Sequence, residues 1–188
     1  LCGREPRKLD TMGLAKATVE SVAENTSDAV VAPLFWGAVA GVPGLLGYRA
    51  ANTLDAMVGH RSPRYARFGW ASARADDLAG WVPARVTAVL VAAVRPRWAP
   101  SVLEAVRRDA SGHPSPNAGV AEAAFAAALG LRLGGPTVYE GRMELRPSLG
   151  TGRPPEAADI RRAVRLSSDA SLALAAALVV AGAWARRR

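Results

Sequence analysis

Asn52, Asp55, Arg74, Asp76 and Asp77 fall within one stretch, Tyr48 to Arg85, that carries the chain's densest mix of arginine, aspartate, asparagine and aromatic residues. Two smaller polar clusters accompany it: Glu24 to Asp28, reading ENTSD, and the loop Ser111 to Gly119 with Ser115 and Asn117. Carboxylates in such numbers can hold the Mg of a bound nucleotide. Arginines can grip phosphate or carboxylate oxygens through two parallel N–H groups. Arg61, Arg64, Arg67 and Arg74 alternate with Tyr65, Phe68 and Trp70, a pattern that could stack single-stranded nucleic acid. Asp55, Asp76 and Asp77 would repel a phosphate backbone, so no nucleic-acid partner is expected. The sequence lacks a P-loop, a dinucleotide-binding glycine motif in a βαβ context and a hydrolase GxSxG elbow.

The chain has 188 residues and half of them are hydrophobic, which fits one domain with a real core. Charged residues still make up 21%, so apolar and charged blocks are segregated along the sequence. Ala and Gly dominate the apolar blocks, as small residues do where helices pack closely in membranes. The net charge is +8, and of the 24 basic residues only Lys8 and Lys16 are lysine. Basic loops beside membrane spans account for such a charge without a polyanionic partner. One cysteine, Cys2, excludes an internal disulfide framework, and His60 and His113 form no metal-ligand pair at helical spacing. The first residues, LCGREPRKLD, have no apolar core and do not read as a signal peptide.

The elements that must position these residues read as helices. Residues 10 to 28 form an amphipathic helix that Asp10 or Thr11 can cap, and ENTSD ends it. Glu20 and Glu24 share a face, which reads as a solvated one. Ala29 to Gly47 is a run of 19 residues without charge, about the length that crosses ~30 Å of hydrocarbon. Helix should continue from Arg49 to Val58, placing Asn52 and Asp55 on one face. Leu78 to Val94 is a second apolar segment, and its Arg85 needs a carboxylate partner such as Asp76 or Asp77. A short helix is expected at Ser101 to Asp109, a half-buried or re-entrant one at Val120 to Leu133, irregular chain from Gly134 to Pro155, and a small charged helix to Arg165. Ala170 to Ala185 is a last apolar run of 16 residues before the triplet Arg186 to Arg188. The triplet points to a cytoplasmic C-terminus. The fold class is therefore all-α, a polytopic membrane bundle with spans near 29–47, 78–94 and 170–185.

Five stretches give a sharper reading: ATVESVAENTSDAVVAPLFW (17–36), YRAANTLDAMVGH (48–60), FGWASARADDLAGWVPAR (68–85), SPNAGVAEAAFAAALGLRLGG (115–135) and a trailing GRPP. In order and content they resemble the CobD/CbiB family of cobalamin biosynthesis, adenosylcobinamide-phosphate synthase. The resemblance covers essentially all of residues 1–188 as a single domain, and about the C-terminal three-fifths of a usual member. It implies that the family's N-terminal membrane helices are not in this sequence. Ala29, His60 and Val120-Ala121 stand where the family usually has Gly, Tyr and Trp-Pro.

The resemblance implies a multi-pass protein of the bacterial inner membrane, in contact with membrane lipids. Its reaction would join aminopropanol, or aminopropanol phosphate, to a propionate of adenosylcobyric acid in an ATP-dependent amide ligation that needs Mg. Glu20, Glu24, Asn25, Asp28, Asn52, Asp55, Arg74, Asp76, Asp77, Ser115, Asn117 and Glu122 match family motifs. Of these, Asp76 with Asp77, or Glu24 with Asp28, would hold Mg, and Arg74 would stabilise the transferring phosphoryl oxygens. Asn52 and Asp55 would act in catalysis by placing the amine. Asn25, Ser115, Asn117 and Glu122 would bind substrate. The same membership permits a non-catalytic membrane scaffold that gathers other late cobalamin-assembly enzymes.

Overall fold

The computed structural model describes residues 9–59, 67, 69–139 and 142–187. Helix α1 spans Thr11–Asn25, and the Gly13 N–H donates to Asp10 Oδ1 at 2.7 Å, so Asp10 is its cap. ENTSD does not end the helix as expected. The chain widens into a π-helical turn, Thr26–Val31, and runs on into α2, Ala32–Leu54. The turn re-aims this short segment, with the Thr26 hydroxyl bonded to Ser167 Oγ at 2.7 Å.

Helix α2 also corrects the simple span expected at 29–47. Ala40 and Gly41 leave helical geometry, Gly41 at φ 65° and ψ −157°, and Pro43 follows. That conformation belongs almost solely to glycine. Beyond it the chain doubles back: a Cβ on Gly44 would lie 2.5 Å from the Trp36 carbonyl oxygen, and one on Gly37 3.5 Å from Leu45 Cδ1. Residues eight apart in a straight helix are ~12 Å apart along its axis, so this is a helical hairpin. Within α2 the outgoing arm, 32–40, is ~13 Å long and the return arm, 42–54, ~20 Å, against a hydrocarbon layer of ~30 Å. The return arm continues, as expected, to Leu54 and a second π-turn, Asp55–Gly59.

Helix α3, Trp70–Val94, takes Asp76 and Asp77 into its second turn. The Trp36 indole N–H donates to the Ala79 carbonyl at 2.9 Å and ties the hairpin to α3. Helix α4, Ala99–Asp109, lies where a short helix was expected. Helix α5, Ala118–Leu129, is buried along nearly its whole length rather than half-buried, and its Phe125 shares the core with Val91, Val19 and Leu166 of the neighbouring helices. Its alanine content explains this, since small side chains let four neighbouring helices approach closely.

The stretch from Gly134 to Pro155 is not wholly irregular. Strands β1, Leu133–Tyr139, and β2, Arg142–Leu149, pair antiparallel with a bulge at Gly134/Gly135. Helix α1 holds this ribbon at both faces of one residue: Lys16 Nζ donates to the Gly134 carbonyl and the Gly134 N–H donates to Glu20 Oε1, each at 2.8 Å. Glu20 is therefore buried, not on a solvated face.

The small charged helix and the last apolar run are one helix, α6, Ala157–Ala185. Asp159 anchors it. This fully buried carboxylate accepts from both terminal nitrogens of Arg153, at 2.7 and 3.1 Å, and from Arg162, which also donates to the Leu129 carbonyl at 2.9 Å. Arg95 and Asp169 pair at 2.8 Å between α3 and α6.

By length and composition three helical stretches can cross a membrane: Thr11–Gly59, which the Gly41 bend folds back on itself, Trp70–Val94 and Ala157–Ala185. Large apolar side chains face outward along them, among them Val42 and Leu46 on the hairpin, Leu78 and Val89 on α3, and Leu172, Val179 and Val180 on α6. Outside a membrane such a surface is costly; against lipid it is satisfied. Cys2, His60, Arg61, Arg64, Tyr65 and Phe68 lie outside the described residues.

Candidate functional site

The hairpin decides where the polar residues go. Tyr48, Asn52 and Asp55 follow one another at i, i+4 and i+7, so they share one face of the return arm. That face looks at α3, because Asn52 Nδ2 donates to Asp76 Oδ1 at 3.1 Å. The other side of Asn52 is fixed by Arg49, which donates to Asn52 Oδ1 at 3.2 Å. The π-turn after α1 supplies Asp28, which lies within electrostatic range of Glu24, Asp76 and Asp55, with the Ser27 hydroxyl beside it. Four carboxylates from three segments thus converge at the root of the hairpin, all half-buried. Arg74 is at their rim: its side chain is 68% exposed and pairs with Asp77 at 3.8 Å.

These oxygens can be tested against a metal. Among the described residues, no three His, Cys, Asp or Glu side chains are arranged to ligate one ion together. Mg keeps several of its waters and takes one or two carboxylates. Hard oxygen donors in loose array suit such a hydrated ion; a dry cage is not on offer. Asp28 and Asp76 fit that role best.

A second polar centre lies beneath, around the 113–117 loop. Asn117 is buried, and its Nδ2 donates to the Asp77 carbonyl at 3.0 Å. Gly80 makes this approach possible, since a Cβ there would sit 2.5 Å from Asn117 Nδ2. Arg85 does not reach the Asp76 or Asp77 carboxylates expected as its partners. It donates to the carbonyls of Trp81 at 2.9 Å and Pro116 at 3.3 Å, contacts Asn117 Oδ1 at 3.5 Å, and lies 4.2 Å over the Trp81 ring. Ser115 Oγ accepts from the N–H groups of Asn117 and Ala118 at 3.3 and 3.1 Å, starting α5. Glu122 is buried with its Oε1 3.9 Å from His113 Nε2. Asn25 is exposed and bonded to the Ser21 carbonyl of its own helix at 2.8 Å.

The structure therefore gathers Glu24, Asp28, Asn52, Asp55, Asp76, Asp77 and Arg74 at one place. It sets Ser115, Asn117 and Glu122 around the neighbouring 113–117 loop, and Asn25 on the outside. Burial holds the His113 imidazole below its ordinary 6.5, and both the N–H and the carbonyl oxygen of Ser115 lie 3.1 Å from its Nδ1. On the far side of α4, Arg108 and the Gly150 N–H hold the Asp109 carboxyl below its usual range. Sequence reasoning missed Tyr48 and His113. The signal for Tyr48 was present in its i, i+4, i+7 relation to Asn52 and Asp55; His113 had none, because only the fold brings Glu122 to it.

A helical protein of membrane type, with an acidic site at the root of a doubled-back hairpin, is the class these features define. Comparison with known proteins makes the class particular. The CobD/Cbib protein family matches over residues 1–167, and the chain belongs to it. It is 62% identical over 170 residues to "Cobalamin biosynthesis protein CobD" of Mycobacterium tuberculosis (strain ATCC 25618 / H37Rv), covering 89% of this chain and 54% of that one. A relative of the same name from Rhodobacter capsulatus is 53% identical over 167 residues, covering 88% and 53%. Another, from Chromobacterium violaceum, is 47% identical over 188 residues, covering 96% and 59%. The chain thus spans about half the length of the curated relatives it matches. No solved structure matches it.

Proposed function

We propose that this chain serves cobalamin biosynthesis from the bacterial inner membrane, which it crosses more than once, by forming an amide on a corrinoid. In this reading aminopropanol or its phosphate is joined to a propionate carboxylate of adenosylcobyric acid, with ATP and Mg. The family and the names of its relatives support the pathway. The observation that carries the site is the contact of Asn52 with Asp76, which closes the acidic cluster of Asp28, Asp55 and Asp76 beside a lipid-facing hairpin.

An amide forms only when the carboxylate is first activated. The nucleotide, when bound with Mg, would supply the phosphoryl group for that activation. Asp28 and Asp76 are placed to hold the ion, with Glu24 and Asp77 flanking them. Arg74, exposed on the rim, can meet transferring phosphoryl oxygens. Asp55 and Asn52 face the same space and can orient an incoming amine through one charged and one neutral contact. Asn117, through the Asp77 carbonyl and Arg85, keeps the α3 segment that bears these aspartates in place.

Detergent-purified protein incubated with adenosylcobyric acid, ATP, Mg and aminopropanol or its phosphate tests this. The reading expects an amide product that requires all four, and loss of it in Asp55→Ala and Asp76→Ala. A folded, membrane-extracted chain that makes no product, but restores cobalamin-dependent growth alongside other assembly enzymes, would replace catalysis with a scaffold role.

A further inference from the structure

Tyr48 is a polar side chain of this region that catalysis and packing have left without a part. It is 4% exposed, and its hydroxyl is buried with no hydrogen-bond partner among the described residues. Removing a phenol O–H from water without a partner is unfavourable, so a fold retains one where another group compensates. The hydroxyl is not lost in an apolar core. Tyr48 shares its helix face with Asn52 and Asp55, and Asn52 fixes that face toward Asp76. Asp28 and Asp76 are the carboxylates whose charge acts on the phenol.

We infer that the Tyr48 hydroxyl binds a metal-bound water of a hydrated divalent cation held between Asp28 and Asp76. The inference rests on the proposed Mg site and assigns it an outer-sphere residue. Two observations join here. The cluster's carboxylates come from three segments and do not close on one point as a set of direct ligands. The phenol lies on the helix face turned toward Asp76, within the field of Asp76 and Asp28, and a phenol can accept and donate at once. A polarised water on the cation can donate to the Tyr48 oxygen, which no protein group among the described residues occupies. Such second contacts orient the direct ligands and set affinity, by 10- to 100-fold in metal sites generally.

Mn2+ is the probe, added without nucleotide or corrinoid to the detergent-solubilised chain, with free aqueous Mn2+ read by electron paramagnetic resonance. The wild type should bind Mn2+ and leave several waters on it. Tyr48→Phe should weaken that binding about tenfold, while its melting temperature without Mn2+ stays equal or rises, because the buried hydroxyl is gone. Asp76→Asn should weaken binding at least as much. Unchanged Mn2+ affinity in Tyr48→Phe, a dehydrated bound ion, or a lower metal-free melting temperature would each overturn the assignment, the last by making the hydroxyl a structural group. A wild type that makes the amide yet binds Mn2+ only with nucleotide present sinks this inference alone. One that binds Mn2+ as described but makes no amide sinks only the proposed reaction.

Discussion

Asn52 and Asp76 are 24 positions apart, yet their side chains meet at 3.1 Å across the groove between the hairpin's return arm and α3. The contact pairs the amide of one acidic face with the carboxylate of another. It holds Asp76 toward Asp28 and Asp55 instead of toward Arg74, which pairs with the neighbouring Asp77. Asp76→Ala is expected to lower amide formation on the order of a hundredfold, in line with losing one preorganised charge at a reacting centre. Asn52→Ala should lower it less, about tenfold, since Asp76 keeps its charge but loses its orientation. Rates measured on detergent-purified variants check both; equal activity in Asp76→Ala rules the cluster out as the site.

Gly41 is the bend on which that juxtaposition depends. At φ 65° and ψ −157° it sits where side-chain-bearing residues are rarely found. Gly41→Ala should cost about 1–3 kcal/mol and displace the return arm relative to α3. The expected result is a lower melting temperature together with a loss of activity like that of Asn52→Ala. A Gly41→Ala chain with wild-type melting and activity would mean the hairpin turns some other way in the membrane.

How much of this was legible depended on the range of the interaction. Asp10 capping α1, the helix through Arg49 to Val58, and the shared face of Asn52 and Asp55 are local matters of spacing, and they stand in the structure as the sequence implies. The uncharged run at 29–47 read as one span because length and hydropathy do not register a single glycine in an unusual conformation. The buried place of Glu20 came from a backbone N–H 114 positions away, and the true partners of Arg85 from a loop 31 positions on. The β1–β2 ribbon was hidden by glycines and prolines that signal turns in isolation and become tolerable once paired with a bulge. The site residues were legible mainly because they match family motifs; their meeting point was legible only in three dimensions.

Asn117 separates a strut from a substrate contact. Its amide is occupied by the Asp77 carbonyl and lies against Arg85, so Asn117→Ala should lower stability by about 2 kcal/mol by leaving a buried carbonyl and a cation less satisfied. Gly80→Ala alone should also destabilise, by about 1–3 kcal/mol, because its methyl would collide with the Asn117 side chain. Combined, the two changes should be less damaging than their sum, since the shortened residue 117 leaves room for the methyl. Thermal unfolding of the three variants in one detergent measures the coupling. Strict additivity, with the loss in Asn117→Ala confined to substrate affinity, would return Asn117 to the substrate-binding role.

His113 should make the fold acid-sensitive in a defined window. Its side chain is 6% exposed, Glu122 Oε1 lies 3.9 Å from its Nε2, and Glu20, Glu24 and Arg146 are its other charged neighbours. Burial keeps the folded-state pKa below 6.5, whereas the unfolded chain titrates near that value. Above 6.5 both states carry a neutral ring and His113 adds no pH dependence. As pH falls below 6.5 the unfolded state takes up a proton that the folded state still refuses, so stability drops, with a slope approaching ~1.4 kcal/mol per pH unit, until the folded-state pKa is reached. Asp109, held below 3.8, adds its own loss only in more acidic solution. His113→Asn keeps an acceptor for the Ser115 N–H but cannot titrate. Melting temperatures between pH 7 and pH 5 should fall in the wild type and stay nearly level in this variant; an equal fall in both would place the acid sensitivity elsewhere.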